Sequence, residues 1–300
     1  MATIQTAFDQ VITPVTHDLG DFKVNRALPA RERTMVGPFI FVDEFGPARL
    51  PEGRGMDVRP HPHINLATVT YLFEGAIEHR DSIGSHQVIE PGAINLMTAG
   101  SGIVHSERSP QALRQSGPSL YGMQTWLALP DGREEVEPAF DHVGAGELPV
   151  VEDAGVHARV LMGTLWGKTA GTRADSPTIY ADVELTGGAV PIEADADERA
   201  VMLVGGEAEL DGQALHLFTL YVLRPGHEAR LSSASGGRIM LMGGEAFCTR
   251  RYVFWNFVSS SRERINQAKD DWKAGRFASI AGDDQEFIPL PEVPKTVSYP

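Results

Sequence analysis

Residues 61–75 read HPHINLATVTYLFEG, and this stretch decides the fold. From 66 to 73 it is rich in Val, Thr and Tyr, residues that fit a pleated, half-buried surface, and Glu74-Gly75 closes it as a turn. Similar short runs follow at 77–80, 87–89 and 93–97, the last after a Pro91-Gly92 turn, and at 121–129 (YGMQTWLAL). Short strands at this spacing predict an antiparallel sandwich or barrel. Just ahead of the first run, His61 and His63 stand two residues apart. On a strand that places both imidazoles on one face.

The remainder of the chain repeats the punctuation. The polar, acidic segment 130–138 (PDGREEVEP) reads as a connector between two halves. Beyond it, 200–204 with Gly205-Gly206 resembles the first strand and its Glu74-Gly75 turn. Likewise 220–223 with Pro225-Gly226 resembles 88–90 with Pro91-Gly92, and 238–242 ends in Gly243-Gly244. We read a weak internal duplication, with one half at 1–135 and the other at 136–300. One helix is expected near the end: Ser260 and Glu263 have capping-box spacing, Ile265, Ala268 and Trp272 fall on one face, and Gly275 stops it. The proline-bearing stretch 287–300 reads as an extended tail.

Bulk properties narrow the function classes. The chain has 300 residues, 42% of them apolar, enough for a sizeable core. Its formal net charge of −14 disfavours direct nucleic-acid binding. The single cysteine, Cys248, excludes an intrachain disulfide and a Cys-based zinc site, and fits a reducing compartment. Residues 1–15 lack the features of a secretory signal, and no window approaches the run of about 18 apolar residues that spans a bilayer. A soluble cytoplasmic protein is the expectation.

A second ligand-type pair, His105 and Glu107, lies in TAGSGIVHSE (residues 98–107). Strand pairing can bring it to His61 and His63, so that three imidazoles and one carboxylate converge. Imidazole and carboxylate suit Fe, Mn, Ni, Cu or Zn, and four protein ligands leave two positions of an octahedral ion for water, dioxygen or substrate. Buried without an ion, such a polar cluster would cost on the order of several kcal/mol. The other histidines read as ordinary: His17, His142, His157, His216 and His227 as structural or surface residues, His79 and His86 as surface residues rather than supports of the ligands. Gly100-Ser101-Gly102 reads as a tight turn aiming His105 inward, and Asp43-Glu44 as a solvated strand end.

At these residues the sequence resembles the pirin family of the cupin superfamily. The resemblance runs through HPHINLATVTYLFEGAIEHRDS, PGAINLMTAGSGIVHSE, GMQTWLALP, the upstream GPFIFVDEF, and in the second half YADVELTGGAVPI, LMGGEAF and NQAKDDWKAGRF. It implies an all-β bicupin of two antiparallel β-barrels (double-stranded β-helices) with a short C-terminal helix. It also implies one metal, generally iron as Fe2+, in the N-terminal barrel on His61, His63, His105 and Glu107, and none in the C-terminal barrel. One departure stands out: pirins commonly read HPHRGFETVTY, whereas here Ile64, Asn65, Leu66 and Ala67 follow the ligands. Alternation there predicts an altered pocket polarity.

The resemblance implies a quercetin 2,3-dioxygenase-like oxidoreductase with a small aromatic substrate and dioxygen. Glu107 would take the hydroxyl proton of a flavonol-like enol, and the carbons would leave as carbon monoxide plus an ester. The alternative is an iron- or redox-sensing regulator that docks a protein partner such as a transcription factor or metabolic enzyme. A zinc or manganese isomerase or hydrolase ranks third.

Overall fold

The computed structural model describes residues 6–18 and 22–292. Antiparallel strands dominate, and they fall into two compact units that interleave along the chain. One unit gathers the N-terminal residues through Val15, Asn25–Ile40 and Gly146–Phe247. The other gathers Thr16–Val24, Phe41–Ala145 and the chain from Cys248 onward. These boundaries differ from a single division at 135/136. The segment 130–138 is no linker either. It packs within the second unit, where Glu134 and Glu135 accept hydrogen bonds from Asn65 Nδ2 through the Glu134 carbonyl (2.6 Å) and the Glu135 carboxylate (2.7 Å).

The duplication is visible in the strand order. One seven-stranded sheet runs Ala139–Val143, Ile94–Thr98, Leu66–Glu74, Ser119–Ala128, Phe39–Arg49, Lys23–Leu28, Val15–Asp18. The other runs Phe8–Ile12, Leu220–Leu223, Glu198–Gly206, Gly237–Gly244, Thr178–Leu185, Val156–Met162, Val150–Asp153. Each has a four-stranded companion: Asp57–His63, Ile103–Arg108, Ile77–Asp81, His86–Ile89, and correspondingly Ala189–Ile192, Ala229–Ser232, Glu209–Leu210, Gln213–Ala214. The two lists match position for position, the arrangement of a bicupin. Among the described residues, the hydrogen-bonded strand orders are open rather than closed into a continuous ring. The match also shifts one sequence correspondence. Leu220–Leu223 takes the place of Ile94–Thr98, so Pro225-Gly226 answers to the Gly100-Ser101-Gly102 turn rather than to Pro91-Gly92.

The strand signals at 66–73 and 93–97 hold because their residues are buried on both faces. All but the last residue of Leu66–Glu74 are buried, as expected for a strand with neighbours on each side. Asp43 and Glu44 depart from the solvated strand end expected of them. They lie inside the eleven-residue strand Phe39–Arg49 and are 5% and 0% exposed.

The helix Arg262–Lys273 starts one residue later than expected. Ser261 is the cap: its Oγ accepts from Arg264 N at 3.2 Å, satisfying one of the amides that a first turn leaves bare. Ser260 instead donates to Glu134. Ile265 and Ala268 face Ile64, Phe254 and Phe257, with Trp272 and Phe277 packed alongside. The chain beyond the helix is anchored as far as it is described. Ile288 N donates to the Pro60 carbonyl (2.8 Å) and Trp272 Nε1 to the Ile288 carbonyl (3.0 Å). Residues 293–300 of the expected tail lie outside the described residues. No described helix is long and apolar enough to cross a membrane.

Candidate metal centre

The site is assembled by the pairing of Asp57–His63 with Ile103–Arg108. His61 stands directly opposite His105, and Ile103 opposite His63. Opposed residues bring their Cβ atoms to roughly 5 Å, and the three rings accordingly sit at centroid distances of 4.4, 4.9 and 5.0 Å. The register then shifts, so that Glu107 opposes Val58 across a bulge. Pro60, which has no amide to give to a ladder, lies in the bulged stretch. At the other end, Gly100-Ser101-Gly102 makes the expected turn into the His105 strand. Gly100 has φ +49°, and a Cβ there would lie 1.9 Å from the Val136 carbonyl oxygen.

His61, His63 and His105 each bring one ligand atom into a group lying within 4.8 Å of one another, and all three are buried. Burial pushes the His61 imidazole down to about 4, with a smaller opposing effect from its hydrogen bond to Arg59. Burial, reinforced by the neighbouring imidazoles, holds His63 and His105 well below the usual histidine range. All three are therefore neutral at pH 7, the form that offers a lone pair to a cation.

Hydrogen bonds choose which nitrogen offers it. His61 Nδ1 donates to the Arg59 carbonyl (2.8 Å) and His63 Nδ1 to the Asn256 carbonyl (3.2 Å), leaving both Nε2 lone pairs bare. His63 Nε2 and His105 Nε2 are 3.0 Å apart. Two metal–nitrogen bonds of ~2.1 Å at right angles put their nitrogens ~3.0 Å apart, so the donor set fits a first-row divalent ion. The three histidines could hold such an ion.

Glu107, the fourth residue expected from the sequence, stands outside that close group. It is on the same strand and 9% exposed, with Thr70 Oγ1 3.2 Å from its Oε1. Burial raises its pKa, outweighing His79 and the Thr70 hydroxyl, which lower it. Ser106, between the two ligand-type residues, faces the opposite way and donates to Asp283 at 2.7 Å. Arg108 joins it there through a paired contact with the Asp283 carboxylate at 2.8 and 2.9 Å.

His79 differs from its expected surface position. It is 3% exposed, stacked on Phe140 (4.5 Å between centroids, 22° between planes), and lies between Asp81 and His105. Its His-x-Asp spacing was the available signal: residues 79 and 81 share the face that 105 and 107 meet across the ladder. His86 does lie at the surface, beside Glu78. Asn256 is invisible to any motif, because it acts through its backbone carbonyl from 193 residues away.

Of the departure at 64–67, Ile64 and Ala67 lie off the metal face, whereas Leu66 shares the phase of Thr70. Ile64 packs into the cluster under the helix, and Asn65 turns at φ +56°. Along Leu66–Glu74, Thr70 points to Glu107, so by alternation Ala67 points away. The wall beside the imidazoles is Trp126, edge-on to His63 (5.1 Å) and stacked on Phe41 (4.0 Å).

Comparison with known proteins agrees with this geometry. Residues 21–127 match the Pirin family and residues 180–278 the Pirin C-terminal cupin domain. A pirin-like protein of Caulobacter vibrioides is 46% identical over 288 residues, covering 95% of this chain and 99% of that one. A pirin-like protein of Arabidopsis thaliana is 32% identical over 265 residues, covering 83% of each. The crystal structure of a quercetin 2,3-dioxygenase from Acinetobacter baumannii superposes with a TM-score of 0.89 at 34% identity, covering 97% of both chains. With its paired cupin sheets and its buried histidine trio, this chain belongs to the pirin family.

Proposed function

We propose that this chain is a metal-dependent dioxygenase of a small aromatic enol of flavonol type, with Fe2+ held by His61, His63, His105 and Glu107. The observation that carries the proposal is the convergence of three neutral imidazoles, at least two with bare Nε2 atoms fixed by backbone carbonyls. Support also comes from the likeness to the Acinetobacter protein named quercetin 2,3-dioxygenase. Mn, Ni, Cu and Zn are the alternatives for the ion on the same donors.

When bound, the ion supplies Lewis-acid polarisation of the substrate hydroxyl and redox access to dioxygen. Glu107 takes the hydroxyl proton. Its burial raises the affinity of the carboxylate for that proton, which suits a general base. Thr70 and Gln124, whose Oγ1 and Oε1 are 3.0 Å apart, fix the Glu107 side of the cavity. Trp126 and Phe41 give an aromatic wall that orients a flat ring and excludes water. His61 and Glu107, 6% and 9% exposed against 1% for His63 and His105, mark the side of approach. The first cupin half carries the chemistry. The strands equivalent to its ligand strands, Ala189–Ile192 and Ala229–Ser232, hold no histidine. A cytoplasmic location accords with the single, exposed thiol of Cys248.

The test is anaerobic loading with Fe2+ and quercetin, followed by oxygen. We expect oxygen uptake with one carbon monoxide released per substrate consumed, and its loss in His61→Ala/His105→Ala. Equal turnover by that double variant contradicts the proposal.

A further inference from the structure

His105 differs from the other two imidazoles in what holds its outer nitrogen. His61 and His63 donate to backbone carbonyls, whose acceptor role is fixed. His105 Nδ1 faces another imidazole, His79 Nδ1, at 3.5 Å, and an imidazole nitrogen can either donate or accept. The ambiguity is resolved one residue further out. His79 Nε2 lies 3.0 Å from Asp81 Oδ2. Asp81 is itself held: its Oδ1 accepts from Ile83 N (3.1 Å) and Ser85 N (2.8 Å).

We infer that Asp81 and His79 form a relay that sets the tautomer of His105 and thereby aims a bare Nε2 at the ion. The inference rests on reading the three histidines as a metal site. An ionised carboxylate accepts only, so a neutral His79 ring carries its single proton on Nε2. His79 Nδ1 is then bare and accepts from His105 Nδ1–H. His105 Nε2 is left with a lone pair directed at His63 Nε2, 3.0 Å away, the gap an ion would bridge. Stacking on Phe140 holds the His79 ring in the plane the relay needs. His79 and Asp81 are positioning residues: they act on the ion only through His105.

The relay makes a near-isosteric substitution destructive. In Asp81→Asn the amide carbonyl stays with the two backbone N–H groups, so Nδ2–H must face His79. His79 Nε2 then accepts, its proton moves to Nδ1, and that N–H donates to His105 Nδ1. The His105 proton moves in turn to Nε2, where it caps the lone pair meant for the ion. By contrast, His79→Asn keeps an acceptor, with Oδ1 close to where Nδ1 was, whereas His79→Leu of similar bulk does not.

The experiment has two readouts, neither of them turnover. In metal-free protein labelled with 15N-histidine, NMR should find His105 protonated on Nδ1 in the native chain and on Nε2 in Asp81→Asn. For Zn2+ taken up in competition with a chromophoric chelator, Asp81→Asn and His79→Leu should bind about 10- to 100-fold more weakly, with His79→Asn near the native value. An unchanged His105 tautomer in Asp81→Asn overturns the inference. So does a native His79 protonated on both nitrogens, or equal losses in His79→Asn and His79→Leu, the mark of a merely structural role. Absence of flavonol turnover, with the tautomers as stated, would count against the dioxygenase reading alone.

Discussion

Asn65 joins the two halves of the histidine site, and its replacement separates backbone strain from lost hydrogen bonds. It is fully buried at φ +56°, directly after the His61–His63 strand. Its Nδ2 donates to Glu134 O (2.6 Å) and Glu135 Oε1 (2.7 Å), and lies 3.3 Å from Gly100 O at the turn before His105. Asn65→Gly keeps the left-handed backbone and loses these bonds. Gly100 O retains the Asn65 backbone amide (2.8 Å), and Glu135 retains Arg264. The net loss is therefore about two bonds at ~1 kcal/mol each, roughly 2 kcal/mol. Asn65→Ala loses the same bonds and keeps a Cβ in the left-handed region without the polar side chain that eases that conformation for asparagine, adding up to ~1 kcal/mol and giving roughly 3 kcal/mol. Thermal unfolding of the metal-free chain should order the proteins native, Asn65→Gly, Asn65→Ala, in falling midpoint. An alanine variant as stable as the glycine variant would refute the reasoning.

Three further outcomes follow from the same contacts. Gly100→Ala meets the Val136 carbonyl at 1.9 Å and a positive φ, so it should lower the midpoint and weaken Zn2+ uptake together, measured by thermal scan and chelator competition. Burial raises the Asp283 carboxyl, but hydrogen bonds from Arg108 and Ser106 outweigh it and hold it below the ordinary 3.8. Its folded state thus binds fewer protons than the unfolded chain. The stabilisation is complete above 3.8 and is lost as pH falls through the lower folded value. Midpoints recorded from pH 5 down to pH 3 should therefore fall more steeply in the native chain than in Asp283→Asn. Trp126→Ala removes the ring stacked on Phe41 and should raise KM for an aromatic substrate while leaving Zn2+ affinity within a few-fold, by steady-state kinetics and chelator competition.

What the sequence made legible was local. The Val/Thr/Tyr run after His63 is buried through its length, so its propensity and its environment agree. The His-x-His spacing survives because the strand's period of two is rigid. What escaped depends on distant partners. His79 sits between Glu78 and Arg80, both partly exposed, and nothing adjacent announces that Phe140 covers it. Asp43 and Glu44 are buried by the sheet around them, not by their neighbours in sequence. The helix start slipped by one residue because Ser259, Ser260 and Ser261 can each cap, and the choice falls to Glu134, which holds Ser260. Alternation over 64–67 does not say which of the four residues face the pocket; the turn at Asn65 sets that phase, taking Ile64 and Ala67 away and leaving Leu66 on the Thr70 side.

X-ray absorption at the iron edge tests the central claim most directly. The anaerobically loaded protein should show one ion per chain with three imidazoles at ~2.1 Å, and the signal should lose one imidazole in His63→Ala. An ion with a single imidazole, or a spectrum indifferent to that substitution, would contradict the account.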